Sequence, residues 1–493
     1  MDEREARRAK LQRLREKGVD PYPHRFDRSH TIAEARRLGE EAGDDPEPAR
    51  VRLAGRLTAI RRMGKASFAQ LEDQDARIQL YLTVDKTEDF QSFKELVDRG
   101  DMVGVEGTFF VTKTGELTVQ AERFVLLAKA LQPLPEKYHG LRDVETMRRQ
   151  RYLHLIADSE ARQLFIKGSR IVLLVRAFLD QRGFVEVRTP TLQPIYGGAA
   201  ARPFRTYHNE LKRDLYLRIS PELYLKRLIV GGLDRVYEIA SVFRNEGIDS
   251  HHNPEFTLLE LYQAFADYTD MMKLTEELVR FVAQEVNGSL TLPARSVDGH
   301  EVEIDLGPPW RRLTYMDAIK EYAGVDVSTV GTRDEALAAA AGAGLTVTEL
   351  QELTWEEILG RLFDERVERR LVEPTFIMDY PAALCPLTKR HRSDPRLAER
   401  FEPFVAGMEL GNAFSELSDP EYQAAQFALQ RERAQSGDEE AHPTDDDYVT
   451  ALEYGLPPTG GLGIGLDRLV MLLTGAASIR DVILFPLQRA SGG

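Results

Sequence analysis

The chain has one cysteine, Cys385, and two tryptophans in 493 residues. A single thiol excludes an internal disulfide and a thiolate metal cage, and it suits a reducing, cytoplasmic setting. Long apolar runs are missing as well. Stretches such as Ile171–Val175 and Leu469–Leu473 are far too short to span a bilayer, so no membrane partner is expected. The first thirty residues alternate charges with no apolar centre, so they show no signal pattern. No G-x-x-x-x-G-K-[ST] string occurs, which removes P-loop chemistry. An excess of positive charge is also absent. A net charge of −15 argues against a partner held by bulk positive charge alone, and DNA is not expected as one.

What is present is ordinary globular composition, 42% hydrophobic and 29% charged, over a length that suits roughly two to four domains. The charge is unevenly spread. Of the 65 Lys+Arg and 80 Asp+Glu, residues 1–150 hold 28 and 27, so the remainder holds 37 and 53. A near-neutral first third joined to an acidic body suggests two different tasks.

Residues 1–48 read as a helical extension: a basic amphipathic helix around Arg7–Lys17, a turn at Pro21–Pro23, a second helix near Thr31–Glu41 and a polar break at 44–48. Residues 49–130 change to short alternating strands. Five of them, with a helical piece at Asp89–Val97 between the third and fourth, predict a small Greek-key OB barrel. Residues 131–158 read as a linker. The body, 159–493, opens with a long amphipathic helix, Ser159–Arg182, stopped by Gly183, followed by the strand F-V-E-V-R-T and Pro190. An Ala-rich helical segment at about 313–370 reads as an insertion between strands, and 437–447 as a polar surface loop.

Two strings carry chemistry. In F-R-N-E-G-I-D-S-H-H-N-P-E-F-T, Phe243 to Thr257, Arg244 stands two residues before Glu246, and a turn leads back through His252, Asn253 and Phe256. An arginine clamps phosphate oxygens bidentately, a carboxylate accepts from an amino group, and an aromatic ring offers a stacking face. Alone, the Arg-Asn-Glu triplet is a common strand-end ion pair. Far downstream, G-G-L-G-I-G-L-D-R from Gly460 places a second arginine, Arg468, where a glycine-rich strand opens into an apolar helix. The glycines do not form a dinucleotide fingerprint, because no strand–turn–helix unit with a following acid surrounds them.

These strings, with the helix–strand–Pro190 segment before them, resemble the three signature motifs of class II aminoacyl-tRNA synthetases over essentially the whole chain. The barrel is similar to that of the aspartate/asparagine/lysine subgroup. The strings from Gly197 to Phe204, Tyr216 to Arg227, Gly411 to Leu417 and Ala451 to Pro458 resemble bacterial lysyl-tRNA synthetases. The resemblance implies an α+β chain: an N-terminal OB-fold anticodon-binding barrel, then a catalytic domain whose six-stranded antiparallel sheet is flanked by helices, in a homodimer. It also implies lysine, ATP and tRNA as substrates, with Mg2+.

By the same resemblance, Arg244 holds the α-phosphate and the substrate carboxylate, and Arg468 the γ-phosphate of a bent ATP. Glu246, His252 and Phe256 frame the adenine, while Asn253 and Asn412 position polar groups. Glu402 and Glu409 are the metal candidates, since magnesium wants one or two carboxylates beside phosphate oxygens. Glu416 with Tyr262 is assigned to the ε-ammonium, Glu222 with the Gly198 carbonyl to the α-ammonium, and Glu260 to a supporting place. In aspartate relatives a lysine follows the Pro-Gln/Glu step by three residues; here that position is Leu225. On the barrel, Phe68 and Gln79, with Arg62 and Glu122, are the expected readers of U-rich anticodon bases, and Arg56, Arg61, Arg62 and Lys65 the phosphate contacts. Two departures stand out. His251 occupies a place often held by arginine, and Cys385 one often held by serine, where it is read as a packed small residue. An aspartate- or asparagine-specific enzyme, a lysine ligase acting on protein, and a non-catalytic RNA-binding regulator are the competing readings.

Overall fold

The computed structural model describes residues 2–41, 49–134, 143–435 and 443–488. The polar break at 44–48, the middle of the expected linker at 135–142 and the loop at 437–442 lie outside the described residues. The chain divides into two compact units, Met1–Arg162 and Gln163–Gly493.

In the first unit, α1 (Glu3–Glu16) and α2 (Ile32–Glu41) precede the strands β1 (Arg50–Met63), β2 (Ala66–Glu72) and β3 (Arg77–Thr83), the helix α3 (Phe90–Leu96), and β4 (Met102–Val111) and β5 (Leu117–Ala128). The strands close a barrel in the order β1-β2-β3-β5-β4, with β3 and β5 parallel and the other pairs antiparallel. Period-two burial drives closure: Val51, Leu53, Leu57, Leu80, Leu82, Val103 and Val105 point inward and are completely or almost completely buried. Each such side chain contributes about 1.5–3 kcal/mol by leaving water. The basic face of α1 is spent within this unit. Arg7 donates to the carbonyls of Arg99 and Ala130, Lys10 pairs with Asp98 at 2.5 Å, and Arg13 with Glu95 at 2.7 Å. The expected linker is not bare, since α4 (Val144–Arg149), capped by Asp143, and α5 (Arg151–Ala157) fall inside it.

The second unit begins within α6 (Ser159–Asp180). It continues through β6 (Val185–Glu186), a small sheet of β7 (Leu192–Gln193), β8 (Arg205–His208) and β9 (Arg213–Leu217), and then α7 (Glu222–Val230), β10 (Arg235–Phe243), β11 (Glu255–Ala264) and α8 (Tyr268–Asn287). A hairpin, β12 (Thr291–Arg295) and β13 (Glu301–Asp305), leads to β14 (Arg311–Thr314). The helices α9 (Tyr315–Ala323), α10 (Arg333–Gly342) and α11 (Trp355–Arg366) lead from there to β15 (Thr375–Pro381). Then follow β16 (Leu397–Val405), β17 (Met408–Glu409), β18 (Gly411–Ser415), α12 (Pro420–Gln435), α13 (Asp446–Glu453), β19 (Thr459–Gly465) and α14 (Leu466–Thr474).

The main sheet runs β14-β15-β16-β18-β19-β11-β10-β6, with β17 on β16. Its middle six strands pair antiparallel throughout, and only the two edge pairs, β14/β15 and β10/β6, are parallel. A parallel pair needs a long crossover, and the Ala-rich helical segment is the crossover from β14 to β15. Ala336 and Ala340 pack there with Tyr315, Leu359 and Phe363. One face of the sheet is covered by α6, α8 and α14, whose Ile171, Phe178, Met271, Leu278 and Leu469 share one core with Leu259, Leu261, Phe401 and Ala413. Where α8 starts, Asp267 and Asp270 form a capping box, and Gly288 ends the helix in the left-handed region. The opposite face of the sheet carries the polar residues.

Candidate active site

Alternation along four neighbouring strands builds the site. Phe256, Leu258, Glu260 and Tyr262 of β11, Arg400 and Glu402 of β16, and Asn412 and Phe414 of β18 line one cavity of about 370 Å³. Their neighbours Leu259, Leu261, Phe401 and Ala413 turn into the core. On β19 the cavity-facing positions Gly461, Gly463 and Gly465 are all glycine. The reason is space. A Cβ on Gly461 would run into Glu416 Oε1 and come within 2.7 Å of the Tyr262 ring. Gly198, with φ +87°, closes the same end, and a Cβ there would lie 2.8 Å from both Glu222 Cβ and Ser220 Oγ.

Every residue named from the sequence for the catalytic domain lines this cavity: Gly198, Glu222, Arg244, Glu246, His252, Asn253, Phe256, Tyr262, Glu402, Glu409, Asn412, Glu416 and Arg468. Arg244 follows the end of β10, its N–H bonded to the Pro254 carbonyl at 2.9 Å. Its buried Nε has no hydrogen-bond partner, and its guanidinium carbon sits 5.2 Å from the centre of the Phe256 ring. Burial lowers its pKa, Glu246, Glu409 and Glu260 oppose that, and Arg468 adds to it. Arg468 lies in the first turn of α14, where Nη1 donates to the Glu409 carbonyl at 2.7 Å and to Oε2 of the same residue at 3.1 Å. The two guanidinium groups share one cavity, far apart in sequence though they are. His252 Nδ1 pairs with Asp249 at 2.8 Å on the exposed rim, and Asn253 donates to the Glu255 carbonyl while its buried Oδ1 has no partner.

Glu402 and Glu409 line the same cavity. Glu402 accepts from the Tyr380 hydroxyl at 2.6 Å and pairs with Arg400. Burial pushes its carboxyl up to about 6, against the pull of Arg400. Arg400, a residue sequence reasoning missed, also donates to Asn412 Oδ1 at 2.9 Å and to Cys385 Sγ at 3.4 Å. The Cys385 thiol is buried and pushed up by that burial, so it is a packed residue beneath the floor. Among the described residues, no three His, Cys, Asp or Glu side chains are placed to hold a metal unaided.

At the other end the carboxylates outnumber the cations. Glu222, Glu260 and Glu416 are all buried, and the one lysine near them, Lys226, is buried with them. Glu260 accepts from Ser220 Oγ at 2.6 Å and from the Tyr262 hydroxyl at 2.8 Å. Tyr262 is therefore held by Glu260, which the sequence reading gave a supporting place and which itself lines the cavity. Burial first, then Glu222, pushes the Glu260 carboxyl up to about 7; burial also raises Glu222 and Glu416. Glu416 Oε2 pairs with Lys226, and its Oε1 has no hydrogen-bond partner. Lys226 carried a local signal that went unread, for it stands one helical turn after Glu222 on α7.

On the barrel a second cavity, of about 690 Å³, gathers Phe68, Gln79 and Arg61 with two aromatics not singled out from the sequence, Tyr81 and Phe110. Phe68 and Tyr81 have ring centres 4.6 Å apart, and Tyr81 and Phe110 5.7 Å. Gln79 donates to the Thr118 hydroxyl at 2.9 Å. Two expected readers lie elsewhere. Arg62 donates to the Lys94 and Val97 carbonyls at the end of α3, and Glu122 pairs with Arg50 at 2.7 Å. Arg56, expected on phosphate, donates to the Gly100 carbonyl at 2.7 Å. Backbone carbonyls of the barrel unit take up these two guanidiniums.

Comparison with known proteins agrees with this arrangement. Residues 143–489 match the model of tRNA synthetases class II (D, K and N), and residues 51–127 that of an OB-fold nucleic acid binding domain. The lysine--tRNA ligase of Pelotomaculum thermopropionicum is 52% identical, covering 98% of this chain and 94% of that protein. That of Staphylococcus haemolyticus is 50% identical over 99% and 98%, and that of Carboxydothermus hydrogenoformans 52% over 97% and 96%. With this likeness spanning both units, the chain belongs to the class II tRNA synthetases of the D, K and N group.

Proposed function

We infer that the protein is a lysine–tRNA ligase: it activates L-lysine with ATP to lysyl-adenylate and pyrophosphate, then transfers lysine to the 3′ end of tRNA. The observation that carries the choice of amino acid is the cavity's polarity. At one end a buried guanidinium, Arg244, keeps an unspent donor; at the other, Oε1 of the buried Glu416 carboxylate has no partner, while Oε2 pairs with Lys226. A substrate with a carboxylate at one end and an ammonium at the other satisfies both. Three carboxylates against one ammonium leave a deficit of positive charge, which the two ammonium groups of lysine supply. Lys226 is the feature that favours an acidic side chain, as in an aspartate enzyme, but Glu222 and Glu416 already neutralise it.

In the first step the lysine carboxylate oxygen bonds to the α-phosphorus of ATP as the bond to pyrophosphate breaks. No protein nucleophile is needed, so the chain's work is positioning and charge stabilisation. Arg244 holds the carboxylate against the α-phosphate, Arg468 the far phosphate. Phe256 stacks on the adenine, with Glu246 and His252 at its edge. Asn253 and Asn412 orient polar groups. Glu222 and Gly198 take the α-ammonium, and Glu416 and Tyr262, its hydroxyl proton already given to Glu260, take the ε-ammonium. Glu402 and Glu409 are the residues that would hold a magnesium ion beside the phosphates, although Tyr380 and Arg400 already engage Glu402 and Arg468 engages Glu409. Such an ion would supply positive charge to offset that of the phosphates. In the second step the terminal hydroxyl of tRNA attacks the adenylate carbonyl, an ester forms and AMP leaves. On the barrel, Phe68 with Tyr81 and Phe110 supports base stacking and Gln79 edge contacts.

An apolar groove lined by Leu164, Val172, Val482 and Leu487, with Leu173 and Phe485 exposed beside it, supports assembly as a homodimer. Among the described residues no helix is long and apolar enough to cross a membrane, and we place the protein in the cytoplasm. The test is amino-acid-dependent exchange of pyrophosphate into ATP. Stimulation by lysine and not by aspartate or asparagine is expected; stimulation by aspartate alone would reverse the assignment.

A further inference from the structure

Lys226 is completely buried and is not part of the cavity lining. It nevertheless touches both carboxylates that the proposed function assigns to the substrate's ammonium groups. Its Nζ donates to Glu222 Oε1 at 2.6 Å and forms an ion pair with Glu416 Oε2. One oxygen of each carboxylate, Glu222 Oε2 and Glu416 Oε1, remains for a ligand. Oε1 of Glu416 faces Gly461, whose missing side chain leaves it room. The rings of Phe414 and Tyr262 lie 5.3 Å and 5.9 Å from the ammonium and add favourable cation–π contact.

We propose that Lys226 is a positioning residue for amino-acid recognition: an internal cation behind the pocket wall that fixes Glu222 and Glu416 at a set separation and keeps both ionised. This rests on the functional reading above and extends it. The physical need is plain. Glu222, Glu260 and Glu416 crowd one water-poor region, where burial disfavours their charge and each carboxylate opposes the others. Burial also works against the charge of Lys226, yet Glu222 and Glu416 hold it well above the ordinary lysine range. The other titratable groups facing the cluster are Tyr262, Tyr448, Arg400 and Arg244; the two phenols are themselves raised by burial, while Arg400 adds positive charge toward Glu222 and Arg244 toward Glu260. By tying both carboxylates to one immobile point, Lys226 also fixes the distance between the α- and ε-ammonium positions, and with it the substrate's chain length.

The test uses the full chain with Lys226→Met, which keeps length and loses charge, in lysine-dependent pyrophosphate exchange from pH 6.5 to 8.5. Without the cation, burial and mutual repulsion make Glu222 and Glu416 easier to protonate. The lysine KM is expected to rise at least tenfold at pH 7 and to fall again as pH increases, while the ATP KM stays within twofold. Ornithine, one methylene shorter, should lose less kcat/KM than lysine does. A lysine KM that is unchanged, or raised equally at every pH, or raised in step with that for ATP, overturns the role. A lower lysine KM would mean that Lys226 competes with substrate, and overturns it too. Should Lys226→Met lack a cooperative thermal transition, Lys226→Gln, which keeps a donor toward Glu222, carries the same readouts. The unsubstituted protein run alongside separates the two claims: no lysine-dependent exchange there sinks the functional reading itself.

Discussion

Replacing Glu416 by glutamine changes one atom in a wall that has no slack. The Glu416→Gln side chain has the same shape, so the backbone from β18 onward and the contact with Gly461 are preserved. What is lost is one full negative charge facing the ε-ammonium. A hydrogen bond to a charged group contributes about 1.5–3 kcal/mol, and 1.4 kcal/mol is tenfold in affinity. The lysine KM in pyrophosphate exchange should therefore rise by about 10- to 150-fold. Lys226 keeps Glu222 as its partner, so the helix α7 should stay in place and the ATP KM should move less than twofold. Norleucine, which lacks the ε-ammonium, should lose nothing. The reasoning fails if the lysine KM changes less than threefold, or if lysine and norleucine suffer alike.

Arg468→Ala should lower lysine-dependent exchange by about 10²–10³, the loss typical of one preorganised electrostatic donor, with an unchanged far-UV spectrum; near-normal exchange would dismiss its phosphate role. Glu260 and Asp467 titrate in the folded chain at about 7 and about 6, above the ordinary carboxylate range, chiefly through burial. The native state then binds protons that the unfolded chain releases, so these groups stabilise below about pH 4.5 and the benefit is lost as pH rises through 6 to 7. Thermal unfolding of the ligand-free protein should accordingly soften from pH 5.5 to 7.5, and the stabilisation added by lysine should grow over the same interval; a flat response in both would refute the assignment. Phe68→Ala should reduce kcat/KM for tRNA charging by about 5- to 150-fold, the worth of one stacked base; an equal loss in lysine-dependent exchange would show a general defect instead.

Much of this was legible in the chain because the family's motifs are local strings whose chemistry travels with them. Arg244, Glu246 and Phe256 sit on one turn and the strand that returns from it, and Arg468 follows a strand whose glycines announce close approach. Period two gave the barrel, and a break in it gave α3. Less legible was anything decided by which group reaches which. Arg62 carries the same charge whether it meets a phosphate or caps α3, and only the fold shows that Lys94 and Val97 had carbonyls to satisfy. Arg56 was lost to the Gly100 carbonyl for the same reason. Tyr262 lines the cavity, and its hydroxyl goes to Glu260, two residues back on the same face of β11, a period-two relation the sequence did contain.

Lys226 is the sharper case. The absence of a cation at position 225 was taken to separate a lysine pocket from an aspartate pocket, yet a cation lies one residue further on and inside the same cluster. What distinguishes the two chemistries is therefore the balance of charge around the cation. A lysine answered by a single acid would leave room for an acidic substrate. Held between Glu222 and Glu416, with Glu260 nearby bonded to the hydroxyls of Ser220 and Tyr262, Lys226 has no charge to spare, and the site's remaining demand is for a positive guest. Substrate sign at this wall is set by a count over α7, β11 and the segment after β18, three elements spread over nearly two hundred residues. No single string holds that count, which is why it emerged only when the sheet brought them together.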